Sequence, residues 1–333
     1  MSIGVVKERD YSIDNIRFIL IFSVVVGHLL EICTPFAGSG SIYKFIYSFH
    51  MPVFIFMFGY NVRYSPKRIV YRWGVPYVVF QCAYIAFAKF VLNTNVALQF
   101  TTPYWLLWYL LACIYFQLVL PMFDVEEKYK QILALVCVFA LSFLVGKEST
   151  IGYYMSLSRF FVFQPWFVLG YYCKKNDIFN KLTLSTKKRL LVLIGSLIVI
   201  GILAFLVRKI PGGLLYGSYP YVSCGGTMWM RALASVMVLF VILFLFIGVS
   251  PYWNKKQIII TGIGQNTLPI FLLHGFIVRM VPAYFPYLVS SPWRVMLFSC
   301  AILLCLGNKL FNKIVYYISF SWLEKVHTKA VKD

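Results

Sequence analysis

Charge is what this 333-residue sequence has least of: 13% of its residues are Asp, Glu, Lys or Arg, where a soluble domain carries roughly a quarter. Acidic residues are scarcest, at 11. With 61% hydrophobic residues beside so little charge, a soluble enzyme is excluded. The eight cysteines contain no CxxC pair and no metal-ligand spacing, and most fall in apolar runs, where a thiol is a small buried hydrophobe. No internal repeat or low-complexity segment is visible, which counts against the inverted-repeat architecture of many transporters. The polar start MSIGVVKERDYSIDNIR, followed by a long apolar run without a small-residue cleavage site, speaks against a signal peptide.

What the chain has in abundance is bilayer-compatible sequence, with a mean hydropathy of +0.78. Apolar runs fall at about Ile13–Cys33, Ile42–Asn61, Val70–Leu92, Tyr104–Phe123, Ile132–Val145, Phe160–Cys173, Leu190–Val207, Ala232–Val249, Ile263–Pro282 and Val295–Phe311. At ~20 residues per span they predict an all-α, polytopic membrane helix bundle of about ten transmembrane helices. One integral-membrane domain then occupies residues 1–333.

The few charges are unequally shared, 31 Lys and Arg giving a net +20. Sorted into alternate loops, 22 cations fall on one side, including Lys7, Arg9, Arg17, Lys325, Lys329 and Lys332, and seven on the other, including Arg208 and Arg231. Cations accumulate in cytoplasmic loops and against anionic lipid, so both termini are expected in the cytoplasm, with the protein multi-pass in the cell membrane. The charges form no basic groove or reader motif, so nucleic acid is not an expected partner.

Ionisable groups inside a span are costly and so mark function. Three of the four histidines, His28, His50 and His274, lie in spans and His327 in the tail. The inferred topology puts the three at one depth, ~9–12 Å inside the outer boundary, which suggests a shared polar cavity. Each could instead be a helix–helix contact. A metal site is not expected, since no carboxylate or cysteine cluster accompanies them. Arg159 either snorkels to the outer interface or supplies positive charge to an anionic group. Glu31, three residues after His28, either orients that imidazole or sits at the interface. Asp14 and Arg17 can pair, and Arg63, Lys67, Arg68 and Arg72 supply phosphate-binding capacity or anchor the topology. The segment Arg208–Met230, rich in Gly, Pro and Tyr, either covers an outer groove or is a plain connector.

The stretches RDYSIDNIRFILIFSVVVGH, FIYSFHMPVFIFMFGY, YWLLWYLLACIYFQLVLP, FQPWFVLGYYCKK and GIGQNTLPIFLLH resemble the integral-membrane acyltransferase-3 family, and within it the branch of fucose 4-O-acetylases and polysaccharide O-acetyltransferases. The specific parts are Arg17 and His28, separated by ten residues, and the FHMP of Phe49–Pro52. The resemblance covers residues 9–275, and no appended soluble domain of SGNH-hydrolase type is seen.

That resemblance implies transfer of an acetyl or similar acyl group from cytosolic acetyl-CoA to a hydroxyl of an extracytoplasmic or lipid-linked carbohydrate. Arg17 and His28 are then tied to activity, and Arg159 lines up with a family arginine. Asp14, Arg17, Arg63, Lys67, Arg68 and Arg72 are expected at the acetyl-CoA end, His28, His50, Arg159 and Glu31 at the reaction, and Trp105, Trp108 and His274 against the acceptor. The ~16 Å rise from Arg17 to His28 is of the order of a pantetheine arm. His28 acts either as general base or through an acyl-imidazole, with Arg159 and His50 as oxyanion donors. The alternative from another class is a transporter or flippase for a lipid-linked glycan, whose internal symmetry is missing.

Overall fold

The structure, a computed structural model, describes residues 10–33, 36–320 and 322–323. Lys7, Arg9, Lys325, His327, Lys329 and Lys332 lie outside the described residues. Among the described residues there is no β-strand, and each of the ten apolar runs is largely helical.

Helix α1 is Ser12–Cys33 and α2 is Ser39–Asn61. A π-helical stretch, Ile69–Gly74, leads into α3, Val75–Phe90. There follow α4, Trp108–Phe123, α5, Lys128–Leu144, α6, Leu157–Lys175, α7, Thr186–Val207, and α8, Met228–Ile242. The series ends with α9, Ile258–Gln265, α10, Thr267–Tyr284, α11, Pro292–Leu306, and α12, Lys309–Ile318. Short one-turn helices punctuate the links.

Among the described residues, seven helices are long and apolar enough to cross a membrane, or eight if α11 and α12, bent by 66°, are one broken span. The third and sixth runs, two of the expected ten spans, fall short for different reasons. The α-helical part of the third is 16 residues, ~24 Å of rise against a core of ~30 Å. The sixth has the length, but Arg159, Gln164, Lys174 and Lys175 lower its hydropathy.

Burial separates the centre of the bundle from its rim. The apolar windows of α1 and α2 are 61% and 67% buried, whereas those of α5 and α7 are 28% and 22% buried and turn most of their apolar surface outward, as helices facing lipid do. At one end, α1 is fastened by its polar residues: Asn15 Nδ2 donates to the carbonyls of Trp253 and Lys255 at 2.8 and 3.1 Å, and its Oδ1 accepts from Thr261 Oγ1 at 2.6 Å. Gly264 of α9 passes so close that an added Cβ would lie 1.8 Å from the Asp14 carbonyl oxygen.

The tightest central crossing is between α2 and α6, where two glycines let the backbones touch. A Cβ at Gly59 would meet the Phe167 carbonyl oxygen at 2.1 Å, and one at Gly170 would meet that of Phe56 at 2.1 Å. Gly195 on the outer helix α7 has nothing within 4 Å of its Cβ position. Gly170→Val is therefore expected to lower the unfolding midpoint in detergent, by at least the ~1–3 kcal/mol typical of overpacking. Gly195→Ala is expected to be neutral or to stabilise by up to ~1 kcal/mol. Equal midpoints for the two variants would contradict this account of the crossing.

Candidate active site

Two cavities enter the bundle from opposite ends. The first, of about 320 Å³, lies where α1 begins and α2 ends, and is lined by Arg17, Arg63, Arg68 and Arg72 with the amides of Asn61, Gln265, Asn266 and Asn312. Its deeper walls are apolar and aromatic, among them Ile21, Phe54 and Tyr109. Arg17 Nη1 is 3.1 Å from Asp14 Oδ1, and Asp14 Oδ2 accepts from Gln265 Nε2 at 3.0 Å, so the arginine is braced from α9. Lys67, expected with these cations, is not part of the lining.

The second cavity, of about 270 Å³, opens toward the other end and is lined by His28, Glu31, His50, Trp105, Trp108 and Arg159, together with Tyr47, Tyr153, Tyr216 and Tyr219. His274 does not line it; fully buried, it stands behind His28. The two cavities share two lining residues, Met51 and Phe271. Those side chains form the partition between them.

Hydrogen bonding decides which nitrogen of each histidine carries the proton. His274 Nδ1 is 2.8 Å from the Ile270 carbonyl and 2.9 Å from that of Phe271. A carbonyl only accepts, so Nδ1 holds the hydrogen and neutral His274 presents a lone pair at Nε2. That Nε2 lies 2.8 Å from His28 Nδ1, which must then be the donor. The lone pair of His28 is left on Nε2, in a ring packed 4.6 Å from that of Trp105. By the same logic His50, with Nδ1 2.8 Å from the Ile46 carbonyl, offers an acceptor at Nε2 rather than a donor.

Glu31 does not bond His28. Its carboxylate accepts from Tyr47 Oη at 2.6 Å, Tyr216 Oη at 2.8 Å and Trp105 Nε1 at 3.3 Å, and Tyr43 Oη donates to Tyr216 Oη at 2.7 Å. It thereby ties the segment after α7 to α1 and α2. Arg159 also reaches that segment, donating from Nε to the Tyr216 carbonyl at 3.0 Å. Its guanidinium lies 4.8 Å from the Trp108 ring and 4.7 Å from that of Tyr153. Nη1 is buried and finds no hydrogen-bond partner. The stretch Arg208–Met230 is thus a cap over the second cavity rather than a plain connector.

Backbone strain surrounds this end. Trp105, Met155 and Ser156 have φ of 39°, 49° and 53°, the left-handed region that non-glycine residues rarely adopt. Met155 and Ser156 lead directly into the turn bearing Arg159, and Ser158 Oγ donates to the Gly217 carbonyl at 2.9 Å. Such strain persists only where the surroundings impose it, and it concentrates at functional sites. Sequence reading assigned no role to Tyr47, Tyr216, Met51 or Phe271; the signals available were the tyrosine-rich composition of Arg208–Met230 for Tyr216 and the FHMP of Phe49–Pro52 for Met51. Among the described residues no three His, Cys, Asp or Glu side chains form a metal-holding group.

No curated protein and no solved structure gives a significant match to the chain. The sequence model of the acyltransferase-3 family, described as an acyltransferase domain, matches residues 10–307, reaching past the resemblance at 9–275 through α11. The chain belongs to the acyltransferase-3 family and is a membrane acyltransferase.

Proposed function

We propose that the protein is an O-acyltransferase of the cell membrane that moves an acetyl group from acetyl-CoA, bound at the arginine-lined end, to a hydroxyl of a carbohydrate held at the histidine-lined end. In this reading the arginine-lined end faces the cytoplasm, as the positive-inside rule favours, and the enzyme is of the fucose 4-O-acetylase-like branch. The observation that carries it is the pair of opposed cavities meeting at Met51 and Phe271, cationic on one side and bearing His28 on the other.

The donor's phosphates cannot enter hydrocarbon, and four arginines offer charge-assisted hydrogen bonds at the mouth of the first cavity. The helix rise from Arg17 to His28, ~16 Å, suits an extended pantetheine arm running along the apolar wall. Met51 is unbranched and flexible, and it moves aside with Phe271 to let the thioester pass. In the second cavity, rings such as Trp105, Trp108 and Tyr153 provide apolar faces for a sugar, and His50 Nε2 accepts from one of its hydroxyls.

His28 Nε2 then takes the proton of the attacking hydroxyl as the oxygen–carbon bond forms. Arg159 Nη1 donates to the developing oxyanion. As the carbon–sulfur bond breaks, the thiolate leaves with the proton returned from His28, giving free CoA and the acetyl ester. His274 keeps His28 in the tautomer whose Nε2 can act as base.

His28→Ala is expected to reduce turnover about 10²–10⁴-fold, read as CoA release and acceptor acetylation, with the unfolding midpoint unchanged. Full activity would remove His28 from the reaction. Arg68→Glu is expected to raise the KM for acetyl-CoA while leaving kcat within about twofold; an unchanged KM would reduce this arginine to a topology signal. At the partition, Phe271→Ala keeps the carbonyl that holds His274 and widens the passage. Its turnover of butyryl-CoA relative to acetyl-CoA should rise roughly tenfold, and an unaltered ratio would place the acyl route elsewhere.

A further inference from the structure

We infer that Arg231 forms a buried binding site for one small monovalent anion of halide size. The sequence counts Arg231 among the outer-loop cations, but the structure leaves it 4% exposed in the first turn of α8. Nη1 donates to the Ser142 carbonyl at 2.9 Å, and the guanidinium lies 4.8 Å from the Tyr221 ring. Nε and Nη2 are buried without a hydrogen-bond partner.

A separate cavity of about 40 Å³ is lined by Arg231, and no acidic residue shares the lining. Three serines there give their hydrogens to backbone carbonyls: Ser48 to Phe45, Ser142 to Val162 and Ser235 to Arg231. The guanidinium is therefore the charge in this cavity and supplies two unused donors. An unpaired buried cation is costly unless it acquires a counter-charge that also satisfies its N–H groups. A cavity of this volume accommodates an ion of halide size, and with one guanidinium as the charge in the lining it neutralises a monovalent anion, whereas sulfate would leave a buried negative charge uncompensated.

The site lies beneath the cap. Leu215 lines both this cavity and the acceptor cavity, and Tyr221, against the guanidinium, donates to the Phe143 carbonyl at 2.8 Å. An anion here joins α5, α8 and the cap through one charge. The inference stands independently of the reaction proposed above.

The test is the unfolding midpoint of the purified full chain in detergent, as sodium gluconate is replaced by sodium chloride or bromide at constant ionic strength. A saturable rise of about 2–4 °C is expected with chloride and with bromide, and none with sulfate. Arg231→Gln should abolish the response, whereas Arg159→Gln should retain it. Should Arg231→Gln fail to fold, broadening of the ³⁵Cl resonance by the wild-type protein, reversed by bromide, supplies the second reading. The site is overturned by a midpoint that is the same in chloride and gluconate, by sulfate acting as chloride does, by no ³⁵Cl broadening, or by a response that survives in Arg231→Gln.

Discussion

The hydrogen bond between His28 and His274 is the interaction around which the site is organised. In an apolar bundle every polar atom needs a partner, and two imidazoles satisfy this by forming a line. The carbonyls of Ile270 and Phe271 fix the proton on His274, and His274 fixes the proton on His28. One lone pair remains at the end of the line, on a ring that lines the second cavity. The residue that holds the second imidazole, Phe271, also lends its side chain to the wall between the cavities. In the proposed reaction, base orientation and the route of the acyl group are both set within one turn of α10.

The rest of the molecule keeps that line in place. Close glycine contact between α2 and α6 holds His50 and Arg159 on adjoining helices, and the polar anchoring of α1 on α9 fixes the axial position of Arg17 and His28. At the opposite end the cap is drawn down by Glu31 and Arg159, which bond different atoms of the same residue, Tyr216. The left-handed backbone at Met155 is held by its own N–H, which donates to the Thr101 carbonyl at 2.7 Å.

Much of this was legible in the sequence because hydrophobic runs and charge asymmetry are local signals. All ten apolar runs are helical, and the Arg17–His28 spacing lies on one helix whose rise can be calculated. The number of spans was less legible: the sixth run is visibly short without its flanking polar residues, whereas the π-helical turn that shortens the α-helical part of the third is not announced in a run of apolar letters. His274 was expected against the acceptor, yet its role depends on a partner 246 residues away, which no local pattern encodes. Glu31 was weighed as a partner for His28, three residues off, but two phenols and an indole from distant segments hold it instead. Arg231 shows the same limit, since a loop-edge cation in the sequence is buried between α5, α8 and the cap in the fold.

Donor and acceptor meeting from opposite faces is the central claim, and sidedness tests it most directly. With the protein oriented in vesicles, radiolabelled acetyl-CoA would be supplied only to the arginine-bearing face and the carbohydrate acceptor only to the other. The account predicts labelled ester on the acceptor across the membrane, with an equal amount of CoA released on the donor side. Label confined to acceptors on the donor side, with none across the membrane, would contradict it.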